Sequence, residues 1–245
     1  MAKIIFITGT DTGVGKTVVT ALLLSYLRQG GCNALAMKPF SSGSRADARL
    51  LRSAQENLLT LDEINPFYFG QPVSPAADAG ARKIRSLDIV LGKIRAMGKR
   101  CDVLLVEGIG GLMVPLGEKY TVADLISRLK CPVLVVGRNR LGSINHTLLT
   151  VKALQAVGVK RVRVVLGEDK KADISARTNC KIIEKMAGTG PVFSIPDLGS
   201  RASLPREIKI NVKYLQIMLA GMLGSDIFDI VLPERGEKRL FNITR

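Results

Sequence analysis

Histidine is nearly absent from the sequence, because His146 is the single one among 245 residues. A metal site built from several histidines is therefore excluded within one chain. A serine hydrolase would have to use this one imidazole, and no nucleophile-elbow motif lies near it. The chemistry of the chain is instead expected to depend on lysines and carboxylates.

Aromatic residues are also scarce, at 4% of the chain with no tryptophan, so a base-stacking platform for nucleic acid is poorly supported. No apolar stretch approaches the roughly 20 residues that cross a bilayer.

The four cysteines lie far apart without paired spacing, which favours reduced thiols over a disulfide framework or a zinc knuckle. The first predicted strand begins at Lys3, so we expect no signal peptide and a cytoplasmic location.

Acidic residues are few relative to basic ones, with 21 Asp and Glu against 36 Lys and Arg, which gives a net charge of +15. Such a balance is compatible with nucleic acid, anionic lipid or polyphosphate ligands, and charge alone does not choose among them. A basic enzyme whose charge has no steering role is an equally good interpretation. With no positive signal for either partner, we expect no binding to nucleic acid or membrane.

Apolar, β-rich runs alternate with amphipathic segments along the chain. Six runs are predicted strands: 3–8, 33–37, 102–106, 132–136, 161–166 and 192–195. Six segments have helical spacing: 16–28, 47–56, 87–97, 122–129, 144–156 and 175–186. The runs DVLLVE and PVLVVG are continuously apolar, as in parallel strands covered on both faces. The pattern predicts an α/β fold with a doubly wound, mostly parallel sheet whose ligands gather at the carboxyl ends of the strands.

No linker or repeat divides the chain convincingly, so residues 1–245 are predicted to form a single α/β domain. The pattern weakens after Gly199. Residues 206–223 are expected to form a last helix, and 200–245 are interpreted as a divergent C-terminal helix and tail.

The segment GTDTGVGKT, Gly9 to Thr17, has the composition of a phosphate-binding loop. Five residues rather than the usual four separate Gly9 from the Gly15–Lys16 pair. A strand precedes the segment and a helix begins at Lys16, which is the context that a P-loop requires. Loop N–H groups and the helix N-terminus can hold phosphate, with Lys16 on the β- and γ-phosphates and the Thr17 hydroxyl on Mg²⁺. This predicts a P-loop NTPase-like nucleotide site rather than a chance glycine-rich turn.

Two further side chains follow core strands and are expected at the same edge of the sheet. Glu107 follows CDVLLV, in the place of an acidic partner for nucleotide-bound Mg²⁺. Lys38, in MKPFSSGS, follows the second strand and can add positive charge to a phosphoryl group in transfer. A strand-end glutamate in an ordinary turn and a solvated lysine are the alternatives.

Four blocks, GTDTGVGKT, KPFSSGS, VEGIGGLMVPL and VVGRNRLGSINHTLLT, occur in an order and spacing that resemble the dethiobiotin synthetases, over roughly the first four-fifths of the chain. The longer phosphate loop is also that family's form. The resemblance implies ATP-dependent carboxylation of 7,8-diaminononanoate with CO₂ or bicarbonate. The carbamate would attack the γ-phosphate, and the neighbouring amine would capture the mixed anhydride, giving dethiobiotin, ADP and phosphate. Such chemistry needs positioning and charge neutralisation, not a protein nucleophile.

The resemblance also implies the roles of individual residues. Lys16 and Lys38 would act on the phosphates and the carbamate, and Ser42 would contact the carbamate. The Mg²⁺ ligands would be Thr17, Asp47 and Glu107. Nucleotide contacts would come from Thr12, Gly13, Val14, Gly15, Lys16, Thr17, Glu107, Gly110, Gly167 and Pro196.

A second anion site is implied at the helix start in LGSINH, which would receive the substrate carboxylate across a homodimer interface. Its residues would be Gly142, Ser143 and Asn145. An ordinary helix with Ser143 as its N-cap is the alternative.

Three positions depart from the family pattern. Gly13 stands where some relatives have an acid, Ala76 where a histidine often follows the Ser-Pro pair, and Gly167 where an asparagine commonly reads the base. These departures leave the base preference open and make an inactive relative one alternative.

Another alternative function is that of a partitioning or septum-positioning switch, although Asp11 stands where such proteins commonly have lysine. A cobyrinic acid amide ligase would need a glutaminase domain that the chain lacks.

Overall fold

The computed structural model describes residues 2–78, 86–171 and 173–224. Its strands are β1 (Lys3–Gly9), β2 (Ala34–Met37), β3 (Phe40–Ser42), β4 (Phe67–Phe69), β5 (Val103–Glu107), β6 (Pro115–Gly117), β7 (Tyr120–Thr121), β8 (Val133–Arg138), β9 (Val162–Gly167) and β10 (Val192–Ile195). Its helices are α1 (Lys16–Gln29), α2 (Ala46–Ala54), α3 (Leu61–Ile64), α4 (Leu87–Gly98), α5 (Val122–Leu129), α6 (Ser143–Ala156), α7 (Ala176–Ala187), α8 (Pro205–Tyr214) and α9 (Gln216–Met222). A 3-10 turn spans Pro75–Ala77.

Six strands form the central sheet in the order β10-β9-β8-β1-β5-β2, and every pair in it is parallel. All residues of β2 and β5 are buried, as expected for parallel strands covered on both faces of the sheet. The predicted α/β class and mostly parallel sheet are therefore confirmed. Two small ribbons, β3 with β4 and β6 with β7, lie outside this sheet.

The register of the sheet gathers three strand ends at one edge. Ile7 of β1 lies beside Glu107 of β5 on one side and Leu134 of β8 on the other. Because β1 is central and the chain crosses to β2 on one side and later to β8 on the other, a crevice opens at the carboxyl ends of these strands. The loop after β1 enters that crevice.

Helix α1 is buried on more than one side. Leu22, Leu23 and Leu24 are fully buried in consecutive positions, which a helix with a single apolar face does not permit. Helices α8 and α9 both pack against α1, and α8 also contacts α2. The phosphate loop is thus followed by a helix that is held firmly by the core.

The predicted strands and helices all occur, with bounds that differ by a few residues. The exception is 206–223, which was expected as one helix and forms α8 and α9, separated at Leu215. Val212 of α8 and Leu219 of α9 are both fully buried. Within the described residues, no helix is long and apolar enough to span a membrane. The predicted tail from 225 onward lies outside the described residues.

Candidate active site

The phosphate loop connects β1 to α1 at the carboxyl edge of the sheet. Gly15 is the N-cap of α1 with φ 98°, a left-handed conformation that glycine adopts without strain. The first turn of α1 has no acidic residue and Gly15 has no capping side chain, so the helix dipole is free to attract an anion. Nζ of Lys16 folds back to donate to the backbone carbonyl of Asp11 at 2.8 Å. The loop is built to surround phosphate.

Glu107 lies at the centre of the site and is fully buried. Its Oε1 accepts from the Thr17 hydroxyl at 2.8 Å and from Nζ of Lys38 at 2.7 Å. Its Oε2 has no hydrogen-bond partner among the described residues. A buried carboxylate oxygen without a partner is uncommon, and oxygen donors of this kind suit Mg²⁺.

Lys38 is held between two carboxylates. Besides Glu107, its Nζ lies 3.0 Å from Oδ2 of Asp47 and donates to the carbonyl of Gly108 at 3.1 Å. Its backbone is fixed by Asn65, whose side-chain amide donates to the Lys38 carbonyl at 2.8 Å. The solvated-lysine alternative is therefore wrong, since only 5% of the side chain is exposed.

The ionisation of these groups follows from their neighbours. Burial alone would lower the pKa of Lys38, but Glu107 and Asp47 more than offset burial, so this pKa is raised. Burial likewise opposes ionisation of Asp47, yet Lys38 and the Thr17 hydroxyl hold the pKa of its carboxyl below the usual value. Burial, together with repulsion from Lys38, lowers the pKa of Lys16 to about 8. At neutral pH the site presents a charged lysine–aspartate pair beside a second, more easily deprotonated lysine.

The catalytic cavity is a space of about 780 Å³ at this edge, the size of a small-molecule site. Ten of the predicted residues line it: Thr12, Gly13, Gly15, Lys16, Thr17, Lys38, Ser42, Asp47, Glu107 and Gly110. Gly110 is needed for close approach, because a Cβ there would come 2.6 Å from Val114 Cγ2 and 3.5 Å from Thr12 Oγ1. Glu107 is a fully buried residue bonded to Thr17 and Lys38, and its role toward Mg²⁺ stays a prediction.

Several cavity residues were not expected from the sequence. Ser41 and Arg49 line the cavity, and so do Ser203 and Pro205 at the start of α8. Ser41 lies inside the quoted KPFSSGS block, so its hydroxyl was a detectable signal. Ser203 and Pro205 reach the cavity because α8 packs against α1, and no local sequence motif indicates this packing.

A smaller polar pocket of about 180 Å³ lies on the other side of the phosphate loop. The loop residues Thr10–Val14 line it with Arg138, Arg140, Ser143 and Asp169, among others. Arg138 donates to the carbonyl of Gly13 at 3.1 Å and pairs with Asp169 at 3.1 Å. The guanidinium thus holds the outward-facing side of the loop.

Helix α6, which follows β8, does not begin with Ser143 as its N-cap, contrary to the alternative named from the sequence. Gly142 is the N-cap of α6, with φ 90°, and Ser143 is the first helical residue. The Ser143 hydroxyl donates to the carbonyl of Arg138 and accepts from the N–H of Arg140 at 3.0 Å. Gly142 and Asn145 are exposed and line neither cavity, so their predicted contact with substrate stays a prediction.

The predicted base contacts lie farther along the same edge. Gly167 ends β9, and its carbonyl accepts from the N–H of Asn139 at 2.8 Å. The neighbouring carboxylate of Glu168 accepts from the Asn139 amide at 2.7 Å and from the Ser194 hydroxyl. Gly167 and Pro196 line neither cavity, and their role toward a base also stays a prediction.

Solved structures of similar shape include a ParA family ATPase from Chlorobium tepidum TLS, with a TM-score of 0.56 and 16% identity, covering 91% of this chain and 98% of that one. MinD from Aquifex aeolicus has a TM-score of 0.55 and 17% identity, covering 91% and 94%. Identities this low show a common α/β fold and do not favour the switch alternative.

Proteins of similar sequence identify the family more specifically than these solved structures do. A family model described as an AAA domain matches residues 3–203. The ATP-dependent dethiobiotin synthetase BioD of Anaeromyxobacter sp. (strain Fw109-5) is 38% identical over 226 residues, covering 89% of this chain and 98% of the relative. The protein of the same name from Bacillus licheniformis is 35% identical over 231 residues, covering 90% and 98%. Because such relatives match most of both chains, this chain belongs to the ATP-dependent dethiobiotin synthetase family.

Proposed function

We propose that this protein makes dethiobiotin from 7,8-diaminononanoate, CO₂ and ATP, as a step of biotin biosynthesis. The observation that supports this proposal best is the cluster of Lys16, Lys38, Thr17, Asp47 and Glu107 around one cavity beside the phosphate loop. These groups neutralise and orient a phosphoryl group without a protein nucleophile. Family membership supplies the substrate.

The reaction divides into three steps. An amine of the substrate attacks the carbon of CO₂ and loses a proton to give a carbamate. A carbamate oxygen then attacks the γ-phosphorus, and the bond to the β-γ bridging oxygen breaks to release ADP. Finally the second amine attacks the carbonyl carbon of the mixed anhydride and loses a proton, which expels phosphate and closes the ring.

The chain's own residues serve the second step through charge and position. Lys16 leaves the Asp11 carbonyl to contact the β- and γ-phosphates, with the loop N–H groups around them. Lys38 is held charged by Asp47 and Glu107, so its ammonium is available for the charge that develops between carbamate and γ-phosphate. Ser42, whose buried hydroxyl has no partner among the described residues, contacts the carbamate.

The residues that would hold Mg²⁺ are Thr17, Asp47 and Glu107, which offer a hydroxyl and two carboxylates. The unpartnered Oε2 of Glu107 fits this assignment, since a hard cation prefers oxygen ligands. When bound with the triphosphate, the metal supplies charge neutralisation at the phosphate oxygens.

The remaining assignments belong to the same proposal. The start of α6, with Gly142, Ser143 and Asn145, receives the substrate carboxylate of the other subunit in a homodimer. Gly167 and Pro196 border the nucleotide base. The enzyme works in the cytoplasm and uses neither nucleic acid nor a membrane.

The test is a labelled-bicarbonate assay with purified protein. We expect labelled carbon to enter dethiobiotin and ATP to be consumed only when the diamine and bicarbonate are both present. ATP turnover that needs no diamine and rises with DNA or liposomes would instead favour a switch. Tight nucleotide binding without turnover would favour an inactive relative.

A further inference from the structure

The face of α2 that lines the catalytic cavity carries an arginine that the assigned reaction does not use. Four residues of this helix at helical spacing lie along the cavity: Ala46, Arg49, Leu50 and Ser53. Arg49 is exposed, and its guanidinium has no hydrogen bond or ion pair within the described part of the chain. Arg45, just before the same helix, is by contrast paired with Asp62 at 2.7 Å. The Arg49 guanidinium is therefore available to a ligand in the cavity.

The charges around the cavity favour an anion as that ligand. Among the described residues, three cations and two carboxylates line it: Lys16, Lys38, Arg49, Asp47 and Glu107. Lys38 already contacts both carboxylates. Asp47 precedes Arg49 by two residues on α2, a spacing at which helical side chains do not face each other. The cavity thus has one positive charge in excess, and neither carboxylate pairs with Arg49.

Arg52, on the same helix, provides the contrast. It is also exposed, but it lies in the last turn of α2, where the helix dipole favours a cation, and it does not line the cavity. Arg49 ends the first turn, where the dipole disfavours a cation, and it lies three residues from the like charge of Arg52. Both effects are unfavourable to a cation at Arg49, and an anion in the cavity would offset them.

We propose that Arg49 is a further nucleotide-binding residue, which contacts the β- and γ-phosphates of ATP. The inference rests on the proposed function. Thr17 and Asp47, which would hold Mg²⁺ at those phosphates, line the same cavity, and Asp47 lies about half a turn before Arg49 on α2. A guanidinium forms bidentate, charge-assisted hydrogen bonds with phosphate oxygens, and an arginine from the same chain can assist phosphoryl transfer. The amines of the diamine attract protons themselves, so a guanidinium suits the nucleotide better.

The experiment compares Arg49→Met with Arg52→Met, which remove the same charge from the same helix. We expect Arg49→Met to raise the calorimetric Kd for ATP with Mg²⁺ by about five- to twentyfold, because a charge-assisted contact is lost. The Kd for AMP, which lacks the β- and γ-phosphates, and the KM for diaminononanoate are expected to stay nearly unchanged. Arg52→Met is expected to change none of these quantities.

A third variant and a stability measurement separate binding from folding. Arg49→Lys keeps the charge without the bidentate geometry, so its Kd for ATP is expected to lie between those of wild type and Arg49→Met. The Tm of ligand-free Arg49→Met is expected to be no lower than that of wild type, because the substitution removes a repulsion from Arg52.

Four results would overturn the proposal. Equal rises in the Kd for ATP in Arg49→Met and Arg52→Met would show only a general effect of net charge. A raised KM for the diamine with an unchanged Kd for ATP would assign Arg49 to the substrate carboxylate. A Kd for AMP that rises as much as that for ATP would place the contact away from the terminal phosphates. An unchanged Kd for ATP, whether or not the Tm falls, would show that Arg49 is not a nucleotide ligand.

Failure of the proposed function has a different signature. If wild-type protein binds ATP with a Kd that depends on Arg49 but forms no dethiobiotin, the reaction is wrong while the assignment of Arg49 stands. If dethiobiotin forms and the Kd for ATP is the same in wild type and Arg49→Met, the reaction stands and the assignment of Arg49 fails.

Discussion

Nζ of Lys38 lies 2.7 Å from Oε1 of Glu107, the same oxygen that accepts the hydroxyl of Thr17 at 2.8 Å. One carboxylate oxygen therefore links the lysine that follows the second strand to the first turn of the phosphate-loop helix. A change at any of the three residues alters the surroundings of the other two.

Replacing Lys38 with Met removes a charge that acts mainly on the transferring phosphoryl group. We expect kcat to fall by about a hundredfold or more, with a much smaller change in the Kd for ATP, because the lost interaction develops in the transition state. Steady-state kinetics and equilibrium nucleotide binding check this. Lys93→Met, on the exposed face of α4, is the matched control. Equal losses in kcat and ATP affinity would contradict the assigned role.

Replacing Glu107 with Gln keeps the shape of the side chain and removes its charge. The Mg²⁺ concentration needed for half-maximal activity is expected to rise by about tenfold or more, because a carboxylate ligand is lost. The buried Lys38 would keep only the half-exposed Asp47 as a charged partner, so we also expect a loss of unfolding free energy of up to about 3 kcal/mol. Magnesium titrations and denaturant unfolding measure the two effects. Glu118→Gln at an exposed position should change neither.

Replacing Arg138 with Met removes the hydrogen bond to the Gly13 carbonyl and frees the outward side of the phosphate loop. We expect the KM for ATP to rise by about five- to tenfold, because the loop N–H groups are then less well positioned. Arg140→Met is the comparison, since Arg140 lines the same pocket without a side-chain hydrogen bond to the loop among the described residues. A lowered Tm with an unchanged KM for ATP would show that Arg138 only stabilises the fold.

Burial raises the pKa of Cys131 to about 12 from an ordinary thiol value of 9.0. The folded protein thus keeps a proton that the unfolded chain releases above pH 9, so the stabilising contribution of this thiol is lost as pH rises from 9 toward 12. One such thiol contributes a slope of about 1.4 kcal/mol per pH unit. Denaturant unfolding of wild type and Cys131→Ala across this range should give a shallower decline in the variant. Parallel curves would contradict the shift.

The sequence was sufficient to predict the six strands of the central sheet and ten of the residues that line the catalytic cavity. The short elements β3, β4, β6, β7 and α3 were not predicted. Continuous apolar runs specify buried parallel strands, and parallel strands bring the residues at their carboxyl ends together. Lys16, Lys38 and Glu107 therefore meet, although they are far apart in the chain. Spacing alone did not separate a buried, paired Lys38 from a solvated one, because that distinction depends on Asp47 and Asn65 from other elements.

Two other features of the structure depend on contacts between distant segments, which no local sequence pattern indicates. The contact from Arg138 to the phosphate loop joins the end of β8 to a turn at the start of the chain. The helix that was predicted over 206–223 is divided at Leu215, although the apolar pattern of this segment is compatible with one helix. The periodicity of apolar residues predicts neither the contact of Arg138 with the loop nor the helix break at Leu215.

The cavity takes one wall from Ser203 and Pro205, while its phosphate loop lies in the first residues of the chain. On a ribosome the loop emerges early and this wall emerges late, and contacts between such distant segments form slowly. A nascent chain thus contains the residues of the phosphate loop well before it contains the residues of this wall. The cavity is accordingly completed only after residues far along the chain have been synthesised.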